Sequence, residues 1–377
     1  MSRHHPLLAA LAAALVMAVA MGFGRFAFTG IYPLMVSDGV LSVHAGSIAA
    51  SVNYAGYLLG ALLAVAIANR HAYRLCLGTL AATVLALAAL GVVDSTAWII
   101  LIRGLAGVFS ALAMVGASVW LLQNQGVSQG APVLYAGVGV GVLVSAELLA
   151  AGQWFGLHSH GLWLLLALSA TVLSLLAVTG MHGDISQANS KPAQAAAAKP
   201  ITLGISKLIL VYGLAGFGYI VTATFLPLLV SKAVAELPPI QVWAVFGLGA
   251  APSCFLWQRL MLRWGTRTAL FVNLAVQAIG VVLPVFSATP LAYLASAVIV
   301  GGTFMGTATI ALSAASRLAA SVRFNLVAAM TAAYGVGQIA GPAVANYLYA
   351  SSQSFSPPLA VAGAVLTVAA ALCVRLG

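Results

Sequence analysis

Three charged side chains lie deep inside long apolar runs of this 377-residue chain: Arg25, Arg103 and Glu147. On an insertion scale each such charge costs about 2.5–3.5 kcal/mol at the centre of a membrane helix. All three must therefore face a protein interior or a water-filled cavity. Arg25 shares a helical stripe with Ala18, Gly22, Thr29 and Tyr32, through spacings of three and four. A guanidinium there can hold an anionic group of a ligand, or it can bond to neighbouring helices. Arg103 lies six residues after the start of the run 97–122, and Glu147 lies six residues before the end of the run 132–153. At one helical rise per residue both are about 9 Å deep from the same side. That depth invites a pair. It is either a fixed ion pair joining two helices, or a carboxyl that titrates as a cavity opens and closes and so couples to protons. Hydrogen-bonding side chains with apolar bodies lie near the middle of runs at Asn53, Tyr54, Tyr57, Tyr219, Thr222, Tyr334 and Gln338. They suit the orientation of a small ligand, and equally the tying together of helices.

Other chemistry finds little support. His158 and His160 form an H-x-H without a third ligand, so no metal is expected. The chain has no H-E-x-x-H, G-x-S-x-G or Walker lysine motif, and one intramembrane acid is too few for most acid–base catalysis. The expectation is a protein that is not an enzyme and needs no cofactor. Cys76, Cys254 and Cys373 are scattered and odd in number, which suits packing rather than disulfides.

The elements that must position these residues follow from composition. With 63% hydrophobic and 5% charged residues, the chain cannot be a soluble, disordered or disulfide-scaffold protein. Twelve runs are long enough to span a bilayer. They are 7–36, 44–68, 75–93, 97–122, 132–153, 161–181, 208–231, 240–258, 268–287, 290–316, 326–350 and 357–375. The polar stretch 182–207, with Pro192 and Pro200, reads as a linker between a bundle at 1–181 and another at 208–377. Arg3 followed by an apolar run and Ala18-Val19-Ala20 resembles a secretory leader. The run is too long for one, and it is read as a permanent first helix.

Short connections force the helices to alternate. With the N-terminus in the cytoplasm, twelve of the fifteen basic residues fall inside and only Lys232 outside, which predicts that both termini are cytoplasmic. The net charge of +10 is thus a topology signal with contact to anionic lipid, not a nucleic-acid footprint. All seven tryptophans fall near predicted helix ends, as an interfacial belt would have them.

The chain also repeats itself. Gly22-Phe23-Gly24 and Pro33-Leu34-Met35-Val36-Ser37 recur as Gly216-Phe217-Gly218 and Pro227-Leu228-Leu229-Val230-Ser231, each at an offset of 194. Gly56, Arg70 and Arg74 recur at an offset of 193 as Gly249, Arg263 and Arg267. Tyr135-x-Gly137-Val138-Gly139 echoes Tyr334-Gly335-Val336-Gly337. Two pseudo-symmetric six-helix halves suit a transporter whose substrate site lies between them near the midplane. Arg25 faces Tyr219 across the repeat, so the charge breaks the symmetry.

The loop Asn69-Arg70-His71-Ala72-Tyr73-Arg74 resembles the D-R-x-G-R-K loop of the major facilitator superfamily, departing at Asn69 and Ala72. Its copy, Arg263-Trp264-Gly265-Thr266-Arg267, keeps the glycine, with Leu262 at the position of the acid. Arg103-x-x-x-Gly107 resembles a motif of proton-coupled members. Gly22-x-Gly24-Arg25-Phe26-Ala27-Phe28-Thr29 and Asn53-Tyr54-x-Gly56-Tyr57-x-x-Gly60 are similar to the bacterial YbfB/YjiJ-type branch. The resemblance implies a twelve-helix, all-α inner-membrane transporter working by alternating access, with Arg70, Arg74, Arg263 and Arg267 in its gating loops. Two intramembrane arginines against one glutamate favour a small anionic or zwitterionic organic solute. The competing readings are a proton-driven exporter of lipophilic compounds, and a membrane sensor or embedded enzyme. The absence of Gly-Pro from the fifth run weakens the exporter reading. The expected partners are the solute, protons and membrane lipid, and the expected state is a monomer.

Overall fold

The computed structural model describes residues 6–67, 69–181, 201, 203–233 and 239–374. Most of the proposed linker, 182–200 and 202, lies outside the described residues, as do Arg3 and Glu236. Helices α1 to α6 span Pro6–Ser37, Val43–Ala66, Ala72–Leu90, Thr96–Asn124, Ala131–Trp154 and Ser159–Gly180. Helices α7 to α12 span Ile205–Ala233, Pro239–Trp264, Thr266–Phe286, Pro290–Leu318, Leu326–Ser352 and Ser356–Leu372. The fold is all-α, and ten helices among the described residues are long and apolar enough to cross a membrane. Helix α11 has the length, but its glycines, Tyr334 and Gln338 dilute it. Helix α12 has 17 residues, shorter than a straight crossing needs.

Local chemistry sets the helix starts. Ser42, Thr289 and Asn325 each accept a hydrogen bond from the amide three residues on, at 3.1, 3.3 and 3.1 Å, and so cap α2, α10 and α11. Pro252, Pro284 and Pro342 all fall inside helices, where neighbouring helices support the broken ladder.

Small residues set the packing. A methyl on Gly56 of α2 would lie 2.0 Å from the carbonyl oxygen of Gly104 on α4, and one on Gly249 of α8 would lie 2.7 Å from that of Val298 on α10. A methyl on Gly22 of α1 would meet the backbone of Gly141 on α5 at 2.5 Å, and one on Gly216 of α7 would meet that of Tyr334 on α11 at the same distance. Residues matched by the repeat thus make matched helix contacts. The two sets of helices meet where α5 packs on α8, with Gly139 against the backbone of Ala251, and where α2 packs on α11, with Leu58 against Gly335. Close backbone approach of this kind replaces the hydrophobic drive that lipid cannot supply.

The tryptophan belt needs correction. Trp98, Trp154 and Trp264 are exposed, but Trp120, Trp163, Trp243 and Trp257 are buried among helices. Trp163 donates to the sulfur of Met35 at 3.4 Å, and Trp257 donates to the carbonyl of Gly302 at 2.8 Å. Position along a run does not fix which face of the helix a side chain takes, and these four take the protein face.

Candidate functional site

Helix α1 changes its winding at mid-membrane. Over Ala18–Phe26 it is a π-helix, and the amide of Ala27 bonds to the carbonyl of Gly22, five residues back. Such a segment leaves a carbonyl without an amide partner where ordinary winding resumes. Arg103, reaching from α4, donates to the carbonyls of Gly24 at 2.8 Å and Arg25 at 3.0 Å. Its guanidinium also lies 4.3 Å from the centroid of the Phe28 ring. A buried cation from α4 thus braces the end of the π-wound segment of α1.

The expected pairing of Arg103 with Glu147 is therefore not what the structure contains. Among the described residues no ion pair joins them, and Glu147 lies on an outward stripe of α5 with the exposed Val140, Val144 and Trp154. Equal depth brought them to one level, but the helical phase of α5 turns the carboxylate away. Asn53 is likewise turned to α4, where its amide donates to the carbonyl of Arg103 at 2.8 Å. It joins the brace rather than the centre.

Arg25 is 2% exposed and points between the two sets of helices. Its Nη2 donates to Oε1 of Gln338 on α11 at 2.6 Å, while Nε of Gln338 donates to the hydroxyl of Tyr219 on α7 at 2.5 Å. The guanidinium carbon lies 3.9 Å from the centroid of Tyr57, 5.3 Å from that of Phe26 and 5.8 Å from that of Tyr54. Tyr54 in turn shares a hydrogen bond with Thr224 of α7 at 3.1 Å. Nε and Nη1 of Arg25 have no hydrogen-bond partner on the protein, nor do the buried Thr222 hydroxyl and the indole nitrogen of Trp243. Of the predicted binding residues, Arg25, Tyr54, Tyr57, Tyr219, Tyr334 and Gln338 come together. Thr222 is buried one turn beyond Tyr219 on α7.

One side of this centre is a continuous stack of rings. From Tyr212 through Tyr334, Tyr219, Phe304 and Phe246 to Trp243, successive centroids are 4.6, 5.5, 4.8, 5.4 and 4.8 Å apart, with interplanar angles of 13–35°. Phe26 meets Phe304 edge-on at 6.0 Å. Sequence reasoning missed Tyr212, Trp243, Phe246, Phe304 and Phe26. Spacing carried part of the signal: Tyr212 and Tyr219 are two turns apart, and Trp243 and Phe246 about one turn, so each pair shares a helix face.

A comparison with protein families matched residues 17–374 to the family described as uncharacterised MFS-type transporter YbfB. The chain belongs to that family of the major facilitator superfamily. It is a multi-pass membrane transporter, as the sequence motifs imply. A comparison with curated proteins found no match.

The basic loops of the transporter lie at one end. Arg70, Arg74 and Arg263 are exposed, and Nε of Arg267 donates to the carbonyl of Cys373. Between them the neutral Asn69 carries the contacts. It donates to Gln123 at 3.0 Å, its carbonyl accepts from Asn124 at 2.9 Å, and its side-chain oxygen accepts from Asn325 at 3.3 Å. Asn325 caps α11, so Asn69 ties the loop before α3 to the other set of helices without a charge.

Proposed function

We propose that this transporter moves a small organic anion by alternating access, with the anion held on Arg25 between the bundles 1–181 and 208–377. One observation carries the reading. Two guanidiniums are buried at the centre, and among the described residues no acidic side chain opposes them. Burying both costs roughly 5–7 kcal/mol on the insertion scale unless something offsets it. For Arg103 the offset is the pair of α1 carbonyls. For Arg25 a neutral amide and ring faces supply part of it, and an anionic solute supplies the remainder.

Alternating access is supported by the way bonds cross between the bundles. Arg25 to Gln338 lies at the middle, Tyr54 to Thr224 lies beside it, and Asn69 to Asn325 lies at the basic end. Opening one side breaks one of these and spares another. The basic end is assigned to the cytoplasm of a bacterial inner membrane, with both termini there, on the distribution of Lys and Arg. The protein acts as a monomer and carries out no covalent chemistry. Proton coupling is assigned to Glu147, the single acidic side chain within a span among the described residues, acting without Arg103.

The test is flux in proteoliposomes. Exchange of a labelled organic anion should be lost on Arg25→Ala, and unchanged flux in that variant would overturn the reading. Glu147→Gln should remove the response to a pH gradient and leave exchange intact. A gradient response equal to wild type would remove Glu147 from coupling. If only lipophilic cations were carried, the exporter reading would replace this one.

A further inference from the structure

We propose that the solute is a flat aromatic monocarboxylate, and that its carboxylate replaces the amide oxygen of Gln338 on Arg25. The proposal rests on the organic-anion reading above and names the class of anion.

The donors come first. Arg25 uses Nη2 on Gln338, while Nε and Nη1 have no hydrogen-bond partner. A carboxylate presents two oxygens in the geometry of two guanidinium N–H bonds, and both bonds are charge-assisted. The amide of Gln338 presents one neutral oxygen. The carboxylate therefore takes the Gln338 position and satisfies a further donor.

The charge count comes second. The donors of Arg103 face the carbonyls of Gly24 and Arg25. Arg103 keeps Nε alone without a partner, whereas Arg25 keeps both Nε and Nη1, so Arg25 is the one with a pair of free donors for a carboxylate. One such cation matches one carboxylate. A second carboxylate on the solute would be pressed, unpaired, against aromatic walls, which is costly.

The wall comes third. Tyr219 lies between Phe304 and Tyr334, with interplanar angles of 13° and 21° and centroids at 4.8 and 5.5 Å. The faces of Tyr219 are covered by these neighbours, so the wall offers its ring edges, on which a flat aromatic face packs edge to face as a puckered or branched group of equal size cannot. Tyr219 is also the residue to which Gln338 donates, so displacing the amide frees the Tyr219 hydroxyl in the middle of this wall as well as the Arg25 donor. Arg25 stands on α1, whereas Gln338 and Tyr219 stand on α11 and α7. Displacement thus cuts one of the two side-chain bonds that join the bundles near mid-membrane, leaving Tyr54 to Thr224, and loading the solute loosens the bundles against each other.

The experiment is calorimetric titration of the purified full-length protein in detergent with benzoate, cyclohexanecarboxylate, terephthalate, benzyl alcohol and benzyltrimethylammonium. Benzoate should bind about tenfold more tightly than cyclohexanecarboxylate, which has the same charge and a similar size but is not flat. Terephthalate and benzyl alcohol should not bind measurably. Equal affinity for benzoate and cyclohexanecarboxylate would overturn the aromatic assignment and leave the organic-anion reading standing. Binding of benzyltrimethylammonium with no carboxylate bound would overturn both. Absence of any benzoate binding overturns the proposal. Gln338→Glu sets a fixed carboxylate on Arg25 and should abolish benzoate binding in a protein that still elutes as wild type. Phe304→Leu should weaken benzoate and spare cyclohexanecarboxylate. Wild-type benzoate affinity in Gln338→Glu would overturn the displacement.

Discussion

Arg25 and Arg103 are both 2% exposed and carry the same charge, yet they do different work. Arg103 faces two backbone carbonyls, so its role is to hold α1 in a π-wound form. Lysine keeps the charge but not the planar fork that reaches both oxygens. Arg103→Lys should therefore lower stability by about 1–3 kcal/mol, read as a fall in thermal unfolding temperature in detergent. An unchanged transition would remove the brace. Arg25, with its unpartnered donors, should behave in the opposite way. Arg25→Lys should leave the unfolding temperature near that of wild type and still lose most organic-anion exchange, because a single ammonium cannot grip two carboxylate oxygens. The need of both arginines for shelter was legible from the apolar runs around them. Which one faced backbone and which faced a binding centre was not, because a partner's identity depends on helices about 80 and 310 residues away in the chain.

At the scale of the helix, the spacing of small residues decides which surfaces meet. Gly56 sits where a methyl would strike the carbonyl of Gly104, whereas Gly78 of α3 faces outward with nothing within 4 Å of its added methyl. Gly56→Ala should destabilise by about 1–3 kcal/mol through overpacking. Gly78→Ala should be neutral, or stabilise by up to about 1 kcal/mol, because alanine favours a helix. Similar unfolding temperatures for the two variants would show that close approach is not what holds α2 to α4. The helix positions themselves could be read from the length and punctuation of the apolar runs, to within a few residues at most ends, whereas the caps at Ser42, Thr289 and Asn325 are seen only in the structure. Helical phase could not. Each span is apolar almost all round, so hydrophobic periodicity gives no face to bury, and Glu147 and four tryptophans accordingly point in unexpected directions.

Across the whole molecule, the bundles are joined at the basic end by Asn69 and Asn325, with no charge in the contact. A neutral hydrogen bond is not screened by salt. Asn69→Ala should shift the balance toward opening at this end by roughly two- to tenfold. The readout is the rate at which a cysteine introduced by Ala64→Cys, buried beside Asn69 and Asn325, is alkylated, since Cys76, Cys254 and Cys373 are buried and should react slowly. That rate should rise in Asn69→Ala and should vary little with ionic strength in the parent. A steep salt dependence would assign the closure to the arginines of the loops instead.

The sequence by itself determined the membrane as solvent, the helix count, the internal repeat and the presence of charges that had to be sheltered. These follow from composition, run length and offset, which are properties of the chain taken in order. Only the tertiary structure decided that Arg103 serves the backbone of α1, that Glu147 faces away from it, and that Arg25 meets Gln338 before a wall of stacked rings. Each of these depends on how one helix is rotated against another. In spans apolar on every side that rotation is set by close packing and by the pairing of a few polar groups, and neither can be read from one helix alone.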